Sequence, residues 1–154
     1  MNRKYRRAFD RSVSNAIQKG TREVMRVFDN DGIGFAYTIG NSARGLPELL
    51  FIGSCSPGIG GTLQELSDKL IERGCAFSDG EEISLGGRFP VKIVNADERA
   101  QRDYTYAATG RFGAGNYSVQ QVLPPDLSGR FPGDPECSAP YRNIPVLNGP
   151  ASVH

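Results

Sequence analysis

The sequence predicts an α+β domain, a small antiparallel sheet that is barrel-like or curled and carries two helices. Short segments rich in Val, Ile and Phe recur along the chain, separated by turns containing Gly, Asn and Asp. Only two stretches place apolar residues at helical spacing. The strict β-α-β alternation that a doubly wound parallel sheet needs is absent. At 154 residues the chain suits one domain, large enough to bury most of its apolar surface without staples.

The first helix is read over residues 3–18, RKYRRAFDRSVSNAIQ. Tyr5, Phe9, Val13 and Ala16 or Ile17 share one stripe there, while Arg3, Arg7 and Arg11 lie on other faces. Gly20 supplies its stop. Residues 22–28 (REVMRVF) and 35–39 read as strands. The Asp29-Asn30-Asp31-Gly32 turn between them tolerates left-handed dihedrals, so a β-hairpin is expected. Residues 41–45 read as a loop, and residues 48–53 (ELLFIG) as a third strand, apolar enough to be central. Leu63, Leu66, Leu70 and Ile71 form the apolar face of the second helix. Thr62 with Glu65 reads as a capping box at its start, Glu65 and Lys69 as a favourable i,i+4 pair, and Gly74 as its stop.

After it the pattern returns to strands. Ile83 and Leu85 precede Gly86-Gly87, and Phe89, Val91 and Ile93 follow at period two. Residues 97–103 (DERAQRD) read as a charged loop or short turn, 104–108 as a strand or helical turn, 110–115 as flexible, and 117–123 (YSVQQVL) as a last strand. From Pro124 onward Pro and Gly are dense enough for ordered loop or extended tail. The expected organisation is a basic amphipathic helix at 1–20, a single domain at 21–147 and a flexible tail at 148–154.

The segment SCSPGIGGT, residues 54–62, joins a strand to a helix and raises the question of a phosphate loop. A P-loop needs Lys after its second glycine; Gly53 and Gly58 have the spacing, but Ile59 stands at the Lys position. A dinucleotide fingerprint needs a third glycine; Gly58 and Gly60 fit, but Leu63 stands there. Each pattern fails at a residue that carries the mechanism, so the segment is expected to be a turn.

Composition removes several classes of chemistry. The one histidine is His154, the last residue. A Ser-His-Asp or Cys-His site needs an imidazole held near its nucleophile, so neither is expected. Cys55, Cys75 and Cys137 are odd in number and widely spaced, which suits neither a disulfide framework nor zinc. No metal is expected. No apolar run reaches the length of a membrane span and the N-terminus does not read as a secretory signal, so the expected location is cytoplasmic. Residues 1–26 carry eight bases and two acids, a net +6, and residues 27–154 a net −5. Arg3, Lys4, Arg6, Arg7 and Arg11 are therefore candidates for contact with a protein or a polyanion.

FAYTIG (35–40) followed by Leu46-Pro47-Glu48-Leu49-Leu50 resembles the family called domain of unknown function 4262. The order of later motifs is similar too: Val119-Gln120-Gln121-Val122-Leu123-Pro124-Pro125-Asp126, then Gly129-Arg130-Phe131-Pro132-Gly133-Asp134-Pro135, and finally Ile144-Pro145-Val146-Leu147. The resemblance spans roughly residues 22–147. It departs at two tryptophan positions of the late segment, filled here by Leu123 or Pro124 and by Gly133. It implies a fold and a surface, not an activity.

Polar residues that no core explains are the site candidates: Tyr37, Thr38, Glu48, Gln121, Asp126, Arg130 and Asp134. Strand ends and the Pro-rich loop are expected to converge on one rim, with Asp126 and Arg130 near Tyr37 or Glu48, because small barrels hold ligands there. The bland alternative is structural: Asp126 bonding its own backbone, and Arg130 paired with Asp126 or Asp134. The reading preferred is a domain binding a small polar ligand at a sheet rim, phosphorylated and nucleotide-like ligands included. One alternative is a protein- or nucleic-acid-interaction module using the basic N-terminal helix. Another is a His-independent enzyme using Asp126, Glu48 or Cys137. No cofactor is expected; a flavin enters only by analogy with small split barrels, without a flavin motif.

Overall fold

In the computed structural model, which describes residues 3–28, 33–54 and 58–148, helix α1 (Arg3–Gln18) occupies its expected span. It closes at Gly20, whose φ is +75°. The Gly20 N–H donates to Ile17 O, and the Thr21 N–H to Ala16 O, the paired bonds of a Schellman cap. The chain then runs β1 (Glu23–Phe28), β2 (Ile33–Ile39), a short 3₁₀ turn (Asn41–Arg44), β3 (Glu48–Ser54) and α2 (Ile59–Arg73). It continues through β4 (Glu82–Ile83), β5 (Val91–Asn95), α3 (Arg99–Asp103), α4 (Tyr106–Phe112) and β6 (Val119–Leu123). A second 3₁₀ turn covers Tyr141–Asn143. The expected hairpin turn at 29–32, most of the tail at 149–154, and Cys55, Ser56 and Pro57 lie outside the described residues.

The fold is α+β, as the sequence predicts, with a six-stranded sheet in the order β1-β2-β3-β6-β5-β4. Four pairings are antiparallel and one, β3 with β6, is parallel, setting Glu48 beside Val119 and Phe51 beside Val122. The sheet is therefore mixed where an antiparallel one is expected, and open, with β1 and β4 as its edges. A parallel neighbour needs a long crossover, and periodicity within single segments carries no sign of which distant strands will meet.

Alternation along the strands divides the core between the two faces. Ala36, Leu49, Phe51, Ile93 and Val122 face α2, which buries Ile59, Leu63, Leu66 and Leu70 against them. Tyr37, Ile39, Leu50, Ile52 and Val119 face the other way, covered by Val13 of α1, Ala100 of α3, Ala108 of α4 and Leu147 of the C-terminal strap. Strand β3 is buried on both faces from Glu48 to Gly53, the central position its composition predicts.

The structure has four α-helices in place of two. α3 and α4 are too short to show helical periodicity and bury small residues, Ala100 and Ala108. Charged DERAQRD thus conceals a helix, and Gly110, read as flexible, lies within α4. The capping box at Thr62 does not form. α2 begins at Ile59, so Thr62 sits inside the first turn and its hydroxyl donates back to Gly58 O at 3.3 Å. The glycines of the SPGIGG segment that are described, 58, 60 and 61, continue into this helix. Among the described residues no helix is long and apolar enough to cross a membrane.

Two glycines make a test of this packing. Gly40 has φ +140°, and a Cβ there falls 2.7 Å from Thr21 O and 2.8 Å from Arg22 Cα, both backbone atoms. Gly40→Ala should lower the unfolding free energy by about 2 kcal/mol or more in urea titration. Gly60 has no positive φ, and its Cβ meets only the mobile guanidinium end of Arg26. Gly60→Ala should remain within about 1 kcal/mol of the parent, because alanine favours helix.

Candidate functional site

Glu48 opens β3 with no exposed surface. Its carboxylate accepts five hydrogen bonds: from Thr38 Oγ1 (2.8 Å), the N–H groups of Gly40 (3.1 Å), Asn41 (3.2 Å) and Ser42 (2.9 Å), and Ser42 Oγ (2.6 Å). Thr38 Oγ1 in turn accepts from the Leu49 N–H. The Asn41 amide donates to Pro47 O and to Ser67 Oγ on α2. FAYTIG and LPEL thus meet around a buried anion. The turn between them is shaped by aiming three backbone N–H groups at one carboxylate.

Asp126 does the same in the late segment. Its Oδ1 accepts from the N–H groups of Ser128 and Arg130, and its Oδ2 from the N–H and hydroxyl of Ser138. These bonds, led by those from the Ser138 and Arg130 N–H groups, hold its pKa down to about 2. Gln120 and Gln121 are buried on opposite faces of β6. Gln120 bonds both the N–H and the carbonyl of Phe77. Gln121 donates to Pro145 O and accepts from the Leu147 N–H, tying down the Pro-Val-Leu strap.

The candidates therefore do not share one rim. Thr38, Glu48, Gln121 and Asp126 are buried with their polar atoms committed to backbone and neighbouring side chains. The early and late segments meet along β3 and β6, but Asp126 and Arg130 do not join Glu48. The parallel register sets Val119 beside Glu48, so the chain reaches Asp126 only past the opposite end of these strands. Arg130 pairs with Glu136 at 3.2 Å, both side chains exposed, not with Asp126 or Asp134. Asp134 accepts from the Glu136 N–H. Arg130 and Asp134 line a hollow of about 640 Å³ with Glu82, Lys92 and Phe131, where the Lys92 ammonium lies 5.8 Å from the Phe131 ring centre.

Tyr37 faces a different concavity. A groove of about 1100 Å³ lies between α1, the β1–β2 hairpin and α4. Phe9, Phe35, Tyr37, Tyr104 and Tyr106 line it, with Arg6 and Asp10 from α1, Asp103 from α3 and Arg111 from α4. Phe35 stacks on Tyr37 at 6.2 Å and meets Tyr104 edge-on at 5.0 Å. The Tyr37 hydroxyl accepts the Ala107 N–H at 3.1 Å, and burial raises its pKa above the ordinary phenol value. Arg111 bonds Ser14 Oγ at 3.0 Å, and Tyr106 is 61% exposed at the groove's edge.

Of the ligand-site candidates only Tyr37, joined by Arg6 of the basic arm, lines this groove. Its other aromatics come from α1, β2 and the α3–α4 region, and only the clustered YTYAATGRF (104–112) hinted at them. Asn41, Ser42, Gln120 and Ser138, which complete the buried bonds, carry no distinguishing pattern. As for chemistry, Glu48 and Asp126 are saturated with donors. Cys137 is buried, and its thiol pKa is raised first by burial and then by Asp126, which disfavours the nucleophilic thiolate. Among the described residues no group of three His, Cys, Asp or Glu side chains could hold a metal ion.

A family model described as a domain of unknown function, DUF4262, covers residues 16–138. Both buried carboxylates and all their partners fall within that span. No curated protein and no solved structure matches the chain.

Two expectations follow. Glu48→Gln places an amide N–H₂ among groups that are themselves donors, and should destabilise by at least about 2 kcal/mol in chemical denaturation. Asp126 has a folded-state pKa of about 2 against an ordinary 3.8. Its contribution is full above the ordinary value and is lost as pH falls toward the folded one. The stability gap between the parent and Asp126→Asn should therefore narrow as pH is lowered through this window.

Proposed function

The chain belongs to the family of the domain of unknown function DUF4262, and we propose that it binds a small polar ligand of nucleotide type in the groove between α1, the β1–β2 hairpin and α4. The observation that carries this reading is the convergence of five aromatic side chains and two guanidinium groups, from separate elements, on one concavity. Ligand sites are typically ~300–1,000 Å³, apolar and aromatic in lining, with a few placed polar groups. An aromatic face suits a planar ring, since base–aromatic stacking contributes roughly 1–3 kcal/mol per base. Arg6 and Arg111, from α1 and α4, suit an anionic substituent through paired N–H donors. Asp10 and Asp103 add acceptors for hydroxyl or amino donors. The hollow at Arg130 and Asp134 offers less: one aromatic ring and charges of both signs.

Titration of the purified protein with a panel of nucleoside monophosphates, followed by tyrosine fluorescence and calorimetry, tests the reading. Saturable binding is expected for at least one of them. Tyr106→Ala and Arg111→Gln each alter an exposed residue, so each should keep the melting temperature while weakening binding by about tenfold, the equivalent of ~1.4 kcal/mol. Absence of saturable binding across the panel, or binding unchanged in both variants, overturns it.

A further inference from the structure

Helix α1 has a second face. At about 100° per residue, Arg3, Lys4, Arg7 and Arg11 fall within one outward arc, opposite the arc of Phe9, Val13 and Ala16 that meets the sheet. Every side chain from Arg3 to Ala8 is exposed, and so is Arg11. Asp10, the one acid of the helix, lies off this arc and lines the groove. Among the described residues no ion pair joins any of the four cations to a carboxylate.

This arrangement works against the helix that bears it. Arg3–Arg7 and Arg7–Arg11 are like charges at i,i+4, which destabilise a helix. The first turn holds no acid, so its cations oppose the macrodipole. Burial of Val13 and Ala16 holds α1 in place despite this. The charge thus has no role in forming the helix, and its role lies outward.

We propose that the outward face of α1, made by Arg3, Lys4, Arg7 and Arg11, docks on the phosphate backbone of a nucleic acid. Three of the four cations are arginines, whose forked donors match phosphate oxygens bidentately. From Arg3 to Arg11 the stripe is about 12 Å long at 1.5 Å per residue. Each strand of a duplex carries a charge every ~3.4 Å, so the stripe spans three or four phosphates. Residues 27–154 carry a net −5, which repels a polyanion from the rest of the molecule and orients it toward this helix. A membrane surface fits less well. An interfacial helix inserts its apolar face among lipids, and that face of α1 is turned onto the sheet. This docking face is separate from the groove, and neither proposal depends on the other.

Fluorescence anisotropy with a short labelled duplex DNA and a short single-stranded RNA, at several salt concentrations from about 50 to 200 mM, tests it. For the duplex, log K should fall with log salt at a slope of about −3 to −4, the value for four neutralised phosphates. The variant with R3Q, K4Q, R7Q and R11Q combined should lose this binding. Its helical circular dichroism should be preserved, because removing like-charge pairs favours the helix. Arg88→Gln, an exposed cation elsewhere, should bind as the parent does. Three results would each overturn the proposal: no binding of either nucleic acid at the lowest salt, equal binding by the quadruple variant, or binding to phosphatidylserine vesicles alone.

Discussion

A single carboxylate with no exposed surface fixes the centre of this molecule. Burying an ionised Glu costs several kcal/mol unless it is hydrogen-bonded, and Glu48 meets that demand by recruiting donors from five residues of chain, Thr38 to Ser42. Thr38 lies one residue from the end of β2, Gly40 to Ser42 turn the chain, and Glu48 itself starts β3. The second and third strands are therefore locked in register at one end. Asn41 carries the network onward to Ser67 of α2. Nearby, Arg22 at the entrance to β1 bonds Gln64 and Asp68 of the same helix. The second strand, the central strand and the covering helix are tied within two steps of one carboxylate, and the same helix holds the entrance to β1.

Asp126 repeats the device in a loop. The backbone from Pro124 to Pro140 has no regular structure, so its polar groups must find partners outside any ladder. One side chain answers the N–H groups of Ser128, Arg130 and Ser138 together. In both places a carboxylate acts as a template for irregular backbone. Two carboxylates within the span matched by the family model thus each build a turn. The concave surface with aromatic and cationic groups lies elsewhere, over the opposite face of the sheet from α2.

The sequence made much of this legible where the signal is local. The span of α1, the apolar face of α2, the glycine stops at Gly20 and Gly74, and the burial of residues 48–53 follow from spacing and composition alone. The parallel pairing of β3 with β6 does not, because it depends on which distant edge is free. The start of α2 was obscured because Gly58, Gly60 and Gly61 adopt ordinary helical geometry there, and no local rule requires glycine to do so. Among the candidate site residues, polarity within a strand correctly marked Thr38, Glu48 and Gln121 as exceptional. It could not tell a group that serves a ligand from one that serves the backbone, since both are polar residues at positions that should be apolar. The groove escaped notice because its aromatic residues come from α1, β2 and the α3–α4 region, segments far apart in sequence whose meeting no local pattern announces.

The strand order divides the sheet into two antiparallel halves, β1-β2-β3 and β6-β5-β4, that touch only along the β3–β6 seam. The first half is complete when Ser54 has been synthesised, but its inner edge has no partner until Val119 to Leu123 follow. At ordinary elongation rates of ~5–20 residues per second that interval is roughly 3 to 14 s. During it, the most apolar strand of the protein presents an open backbone edge of the kind that recruits other chains. α2 is made directly after β3 and can cover one face of that strand, though not its edge. The nascent chain therefore passes through a stage in which its future centre is its most vulnerable border, and the last strand made is the one that closes it.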